Sequence, residues 1–147
     1  MSTIDGTRVN GSRLIAGGLL AGLVMNVGEA ALHGGVLGAD AQALFTRYQL
    51  DTTPSPVPIV SLILMTFVLG IASVWLYAAI RPRFGAGART AIIAGVAVWV
   101  MAHLWSGVYL GMGFMGLIPP KLAYLPVAWG LGEAVLGTLA GAWLYKE

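Results

Sequence analysis

Four long apolar runs separated by short polar intervals dominate this chain, and their lengths set the first expectation. The runs lie at about 14–37, 59–80, 90–117 and 125–145. At about 1.5 Å per helical residue, each is long enough to cross a hydrocarbon layer of roughly 30 Å. The pattern predicts an all-α, integral membrane four-helix bundle, built as a single membrane domain over 1–147 and threaded up-down-up-down. The longest polar interval, 38–58, is expected to be an external loop. Within it Ala41, Leu44, Phe45 and Tyr48 share a helical face, which suits a short helix lying at the interface. Pro54, Pro56 and Pro58 then predict an extended approach to the second run.

The boundaries carry further signals. Residues 1–13 read as a mobile cytoplasmic tail. A cleaved signal peptide is the rival reading, since Ala39-Asp40-Ala41 imitates a cleavage site. Leaders of that kind have an apolar core of about 7–15 residues, shorter than the first run, which favours an uncleaved helix. The second run is expected to stop at Arg81-Pro82-Arg83, and 81–89 reads as a tight basic hairpin anchoring the topology. Pro119-Pro120 bounds the third run. Beside the spans, Arg8, Arg13, Arg81, Arg83, Arg89 and Lys146 fall on one side, and only Arg47 and Lys121 on the other. The excess predicts that both termini are cytoplasmic.

Composition closes off other classes. The chain is 58% hydrophobic and 10% charged, against about 25% charged for a soluble domain. Its formal charge of +2 resides in few basic residues flanking apolar spans, so no nucleic-acid partner is expected. With no cysteine, disulfides, thiolate metal sites and thiol redox chemistry are excluded, including that of quinone-linked four-helix thiol oxidoreductases. Ser61, Ser73 and Ser106 lack a nucleophile-elbow context, and Gly85 and Gly87 are followed by no phosphate-loop lysine.

Polarity inside the runs is confined to a few positions. On the first helix Gly18, Gly22, Asn26, Glu29 and His33 fall within roughly 80° of one another, so the stripe should face protein. An intramembrane acid facing lipid is expensive. His103 lies midway along a seam of Gly95, Trp99, Gly107 and Gly111, and the inward candidates of the fourth run are Gly130, Glu133, Gly137 and Ala140. Glu29, His33, His103 and Glu133, with Asn26, are therefore expected as an intramembrane polar cluster, the three deeper ionisable groups roughly 10–20 Å from the outer surface. A purely structural alternative pairs Glu29 with a histidine and Glu133 with a tryptophan or a carbonyl, fixing helix register only. Gly18, Gly22, Gly107, Gly111 and Gly137 are expected to let helices approach closely, in a seam between the first, third and fourth helices. An echo of Gly28-Glu29-Ala30-Ala31-Leu32 in Gly132-Glu133-Ala134-Val135-Leu136 reads as chance or as a trace of an inverted repeat.

The runs WLYAAIRPRFGAGART (Trp75 to Thr90), GTLAGAWLYKE (Gly137 to Glu147) and LLAGLVMNVGEAAL resemble a group of small uncharacterised bacterial four-helix inner-membrane proteins. The resemblance covers nearly the whole chain and implies the architecture and a multi-pass place in the cell inner membrane; it implies no catalytic residue. The functional expectation is a non-enzymatic accessory or packing subunit of a membrane assembly or homo-oligomer, in contact with lipid and with partner membrane subunits or further copies. The alternative is a small proton-coupled carrier or ion pathway using Glu29 and Glu133 with His33 and His103. No cofactor is expected. Haem or a metal ion held by His33, His103, Glu29 and Glu133 ranks lower, because Glu-x-x-x-His departs from the Glu-x-x-His of di-iron bundles and the second copy lacks its histidine.

Overall fold

A computed structural model describes residues 9–50, 55–114 and 116–145. The expectations placed on Arg8, Pro54 and Lys146 lie outside the described residues. The chain is all-helical. Helix α1 (Gly11–Ala30) continues into a π-helical turn at Ala31–Val36 and is followed by α2 (Gly38–Arg47) and α3 (Pro56–Phe84). Next come α4 (Ala88–Trp99), a second π-helical turn at Val100–Leu104, α5 (Trp105–Gly113) and α6 (Pro120–Leu144). Four continuous stretches, Gly11–Val36, Pro56–Phe84, Ala88–Gly113 and Pro120–Leu144, are long and apolar enough to cross a membrane, with mean hydropathies of 1.6, 2.5, 1.8 and 1.3.

Three proline expectations are corrected. Ser55 is extended, as a residue before proline should be, and its hydroxyl accepts from the Val57 amide; Pro56 then opens α3. The first-turn amides of a helix have no intrahelical partner, so Pro56 and Pro58 start the helix instead of keeping the chain extended. At the other end α3 runs through Pro82 to Phe84 and stops where Gly85 takes φ +85°. A proline so near the end removes one backbone bond without ending the helix. Likewise α6 begins at Pro120, earlier than the expected 125, and carries Pro126 inside it. The Trp99 indole donates to the Val127 carbonyl at 2.7 Å, tying α4 to that region of α6.

The expected short helix within 38–58 is present as α2, and no residue of it is buried. It is held to the first turn of α6 by an Asp40–Lys121 ion pair of 2.6 Å, and Tyr48, just after it, donates its hydroxyl to the Leu117 carbonyl ahead of α6 at 3.1 Å. At the opposite end, the Asn10 amide donates to the Tyr145 hydroxyl at 3.1 Å, joining the start of α1 to the end of α6.

Small residues set the spacing between the long helices. A Cβ added to Gly18 would lie 2.5 Å from the Ile71 Cα, and one added to Gly22 would lie 2.8 Å from the Phe67 Cα. Both glycines therefore admit α3, so the second span joins the seam expected among the first, third and fourth. Gly17 and Gly141 meet backbone to backbone between α1 and α6, and Gly137 abuts the Ala21 carbonyl. Gly107 receives the Val127 side chain, and Gly111 the Tyr124 ring, across the α5–α6 contact. In these three contacts, α1–α3, α1–α6 and α5–α6, the partner's residue numbers fall as the first helix's rise. Many interior residues are correspondingly small, with Ala21, Ala91, Ala94, Ser73, Thr90 and Thr138 buried beside the larger Met25, Leu32, Tyr77 and Tyr145, whereas Leu19, Leu23, Val27, Leu62 and Leu64 are exposed. Exposed leucines of this kind suit a surface solvated by lipid.

Replacing Gly18 by Leu is expected to lower stability by about 1–3 kcal/mol through overpacking against the Ile71 backbone. Gly132→Ala, whose Cβ meets nothing within 4 Å, should be neutral or slightly stabilising. Thermal unfolding of both variants in detergent measures the difference.

Candidate functional site

The polar positions of the spans do not stay on one face. Asn26 donates to the Gly22 carbonyl at 2.9 Å and to the Ile63 carbonyl of α3 at 3.4 Å, so it follows Gly18 and Gly22 toward α3. Glu29, three residues on and about 60° around the helix, turns instead toward α5 and α6. One of its oxygens, Oε1, lies 3.8 Å from His103 Nε2, and the other, Oε2, lies 3.1 Å from His33 Nε2. The expected stripe thus divides: its glycines and Asn26 serve packing, and its acid reaches the other helices.

Glu133 completes the group from α6. It is 7% exposed, and its Oε1 accepts a 2.6 Å hydrogen bond from the Trp129 indole one turn earlier on the same helix. A ligand atom from each of Glu29, His103 and Glu133 lies within 4.8 Å of the other two. Three separate helical segments therefore deliver two carboxyl groups and one imidazole to one place. His33 is more than half exposed and, among the described residues, meets this set through Glu29.

Local backbone features make the convergence possible. Both histidines occupy π-helical turns, His33 in Ala31–Val36 and His103 in Val100–Leu104. In the first the Leu37 amide bonds the Leu32 carbonyl at 2.8 Å, and in the second the Trp105 amide bonds the Val100 carbonyl. A π turn takes up an extra residue and rotates the helix before it relative to the helix after it, and such turns recur at functional sites. Two glycines clear the space. A Cβ on Gly28 would lie 2.8 Å from Cγ and Cδ of Glu133, and one on Gly130 would lie against the His103 ring, 2.7 Å from its Cγ.

The group borders a half-open pocket of about 290 Å³ between α1, α3, the second π turn and α6, walled by Met25, Leu62, Met65 and Leu69, and the Glu29 side chain that lines it is 34% exposed. Two carboxyl groups this close among apolar walls call for a proton or a cation between them. His103 Nδ1 is buried with no hydrogen-bond partner among the described residues.

No family model, curated protein or solved structure matches this chain. The chemistry of the centre rests on its own atoms. Of the expected polar positions, Glu29, His103 and Glu133 come together, His33 joins at the edge, and Asn26 points elsewhere. Sequence reasoning allowed Glu133 a tryptophan partner without naming Trp129, although a spacing of four on one helix face was the available signal. Gly28 as a seat for the Glu133 carboxyl had no such signal, because it depends on the register of α1 against α6. The echoed glycine Gly132 faces open space, so the two Gly-Glu repeats are not used alike.

Trp129→Phe removes the indole donor and leaves a buried carboxyl oxygen short of a partner, a loss of about 1–3 kcal/mol. The exposed Trp105, changed to Phe, should alter stability little. Unfolding of both variants in detergent, followed by circular dichroism, checks the contrast.

Proposed function

We propose that this chain is a bacterial inner-membrane protein of four spans, threaded up-down-up-down with both termini cytoplasmic, that works as a small carrier or ion pathway. The falling partner numbers between neighbouring helices support the threading, and the basic residues gathered on one side support the orientation. The resemblance of its Trp75–Thr90 and Gly137–Glu147 runs supports the bacterial setting.

The observation that carries the functional reading is the convergence of Glu29, His103 and Glu133 beside a cavity at spanning depth. Groups able to bind and release a cation, held by three helical segments and bordered by the second span, are what a pathway through a small bundle requires. A pair that served only helix register would need no cavity. Glu29 and Glu133 carry the charge, His103 completes the binding set, and His33 links Glu29 to the more exposed end of the first span.

The packing-subunit reading has one supporting observation. The first half of α3, from Val57 through Met65, is exposed and apolar but for Ser61, a surface that a partner helix could cover as well as lipid. That reading predicts a complex larger than one chain in mild detergent and full tolerance of changes at Glu29.

Reconstitution into liposomes of phosphatidylethanolamine and phosphatidylglycerol separates the two. Proton entry and divalent-cation entry are followed with internal dyes under an imposed potential. The carrier reading predicts flux above empty liposomes that is lost in Glu29→Gln and Glu133→Gln, with both variants retaining the helical spectrum and elution volume. Flux no greater than that of empty liposomes, or unchanged in both variants, contradicts it.

A further inference from the structure

We infer that Glu29, His103 and Glu133 form a binding site for a divalent transition-metal ion of the zinc, manganese or iron(II) class. The inference rests on the reading of this centre as a cation site and names the cation. Three lines converge on it.

The first is the donor set. Two carboxylates and one imidazole are an oxygen and nitrogen set that suits divalent first-row metals. An imidazole is a poor choice for calcium or magnesium, which take oxygen ligands, and the absence of cysteine leaves no thiolate for softer ions. Two carboxylates and a divalent ion sum to zero charge. Neutrality matters here because the surroundings are apolar and a net charge would be costly.

The second is geometry. With bonds of about 2.0–2.2 Å, a tetrahedral ion separates its ligand atoms by about 3.3–3.6 Å. Here the three ligand atoms already stand within 4.8 Å of one another, and His103 Nε2 is 3.8 Å from Glu29 Oε1. That 3.8 Å separation is too long for a hydrogen bond and close to the spacing of two ligands on one ion. All three residues line the pocket of about 290 Å³, which would leave room beside a bound ion for water or an exchanging ligand.

The third is the support around the ligands. Each carboxylate has one oxygen braced by a side chain one turn away on its own helix: Glu29 Oε2 by His33, and Glu133 Oε1 by Trp129. Partners of this kind fix carboxylate orientation in metal sites. Gly28 and Gly130 keep open the volumes that the Glu133 carboxyl and the His103 ring fill.

Purified protein, stripped with a chelator, is titrated with zinc, manganese and cobalt(II) salts by calorimetry and by competition with a metal-sensitive dye. One ion per chain is expected, with magnesium and calcium failing to compete at equal concentration. Glu133→Gln and His103→Gln should each weaken zinc binding by at least about tenfold, while Asp40→Asn, in the distant Lys121 pair, changes nothing. Because the variants could misfold, the wild-type cobalt spectrum gives an independent reading. Visible bands of four- or five-coordinate intensity support the site, and the pale spectrum of hexa-aqua cobalt overturns it. Absence of binding, or binding equal in wild type and Glu133→Gln, also overturns it. Proton flux that depends on Glu29 without metal binding would sink this inference and leave the carrier reading standing. Metal binding without any flux would do the reverse.

Discussion

Carboxyl groups among apolar helices are the constraint from which the rest of this structure follows. Neither Glu29 nor Glu133 can be left facing hydrocarbon, so each must be met by polar atoms from the protein. Those atoms arrive only if α1, α6 and the turn carrying His103 approach closely at one level. Close approach in turn requires residues without bulk. Gly17 against Gly141, Gly28 against Glu133 and Gly130 against His103 are consequences of the same need. The glycines determine how near the helices come, and the acids determine at what level they stop.

The division of labour along α1 shows how one helix serves both demands. Its Gly18, Gly22 and Asn26 bind it to α3, and its Ala21 and Met25 bind it to α6. Glu29 then lies where α3 contributes only the wall of a cavity, through Leu62, Met65 and Leu69. Packing is tight on one side of the acid and absent on the other. That asymmetry separates a possible binding centre from a polar lock, since a lock gains nothing from space beside it. The interior is otherwise satisfied locally: Ser73 and Thr138 bond carbonyls of their own helices at 2.8 and 2.6 Å. The unpartnered His103 Nδ1 stands out against this background.

Much of the architecture was legible because membrane-crossing helices need length and apolarity, both of which are sequence properties. The four spans emerge within a few residues of their expected positions. Helix ends were less legible, since Pro56, Pro58 and Pro82 read as breakers and Pro120 as a boundary, whereas a proline near a helix end loses little. The common depth of Glu29, His103 and Glu133 could be counted along the runs. Their true faces could not, because a uniform 3.6-residue period places Asn26 and Glu29 on one stripe and gives no warning of the π turns at His33 and His103. The seats at Gly28 and Gly130 belong to inter-helix register, which no single helix encodes.

The most direct test of the inward-facing acids uses the absence of cysteine from the chain. Gly28→Cys and Glu133→Cys introduced together place two thiols where a Cβ on residue 28 and the Glu133 Cγ would stand 2.8 Å apart, a contact close enough for a disulfide to form. Mild oxidation in native membranes should cross-link this pair within one chain, seen as a gel-mobility shift reversed by reductant. The outward-facing pair Val27→Cys with Leu131→Cys should not cross-link within the chain. Failure of the first pair to cross-link while the second does so would mean that α1 and α6 meet on other faces, and that the proposed centre does not form.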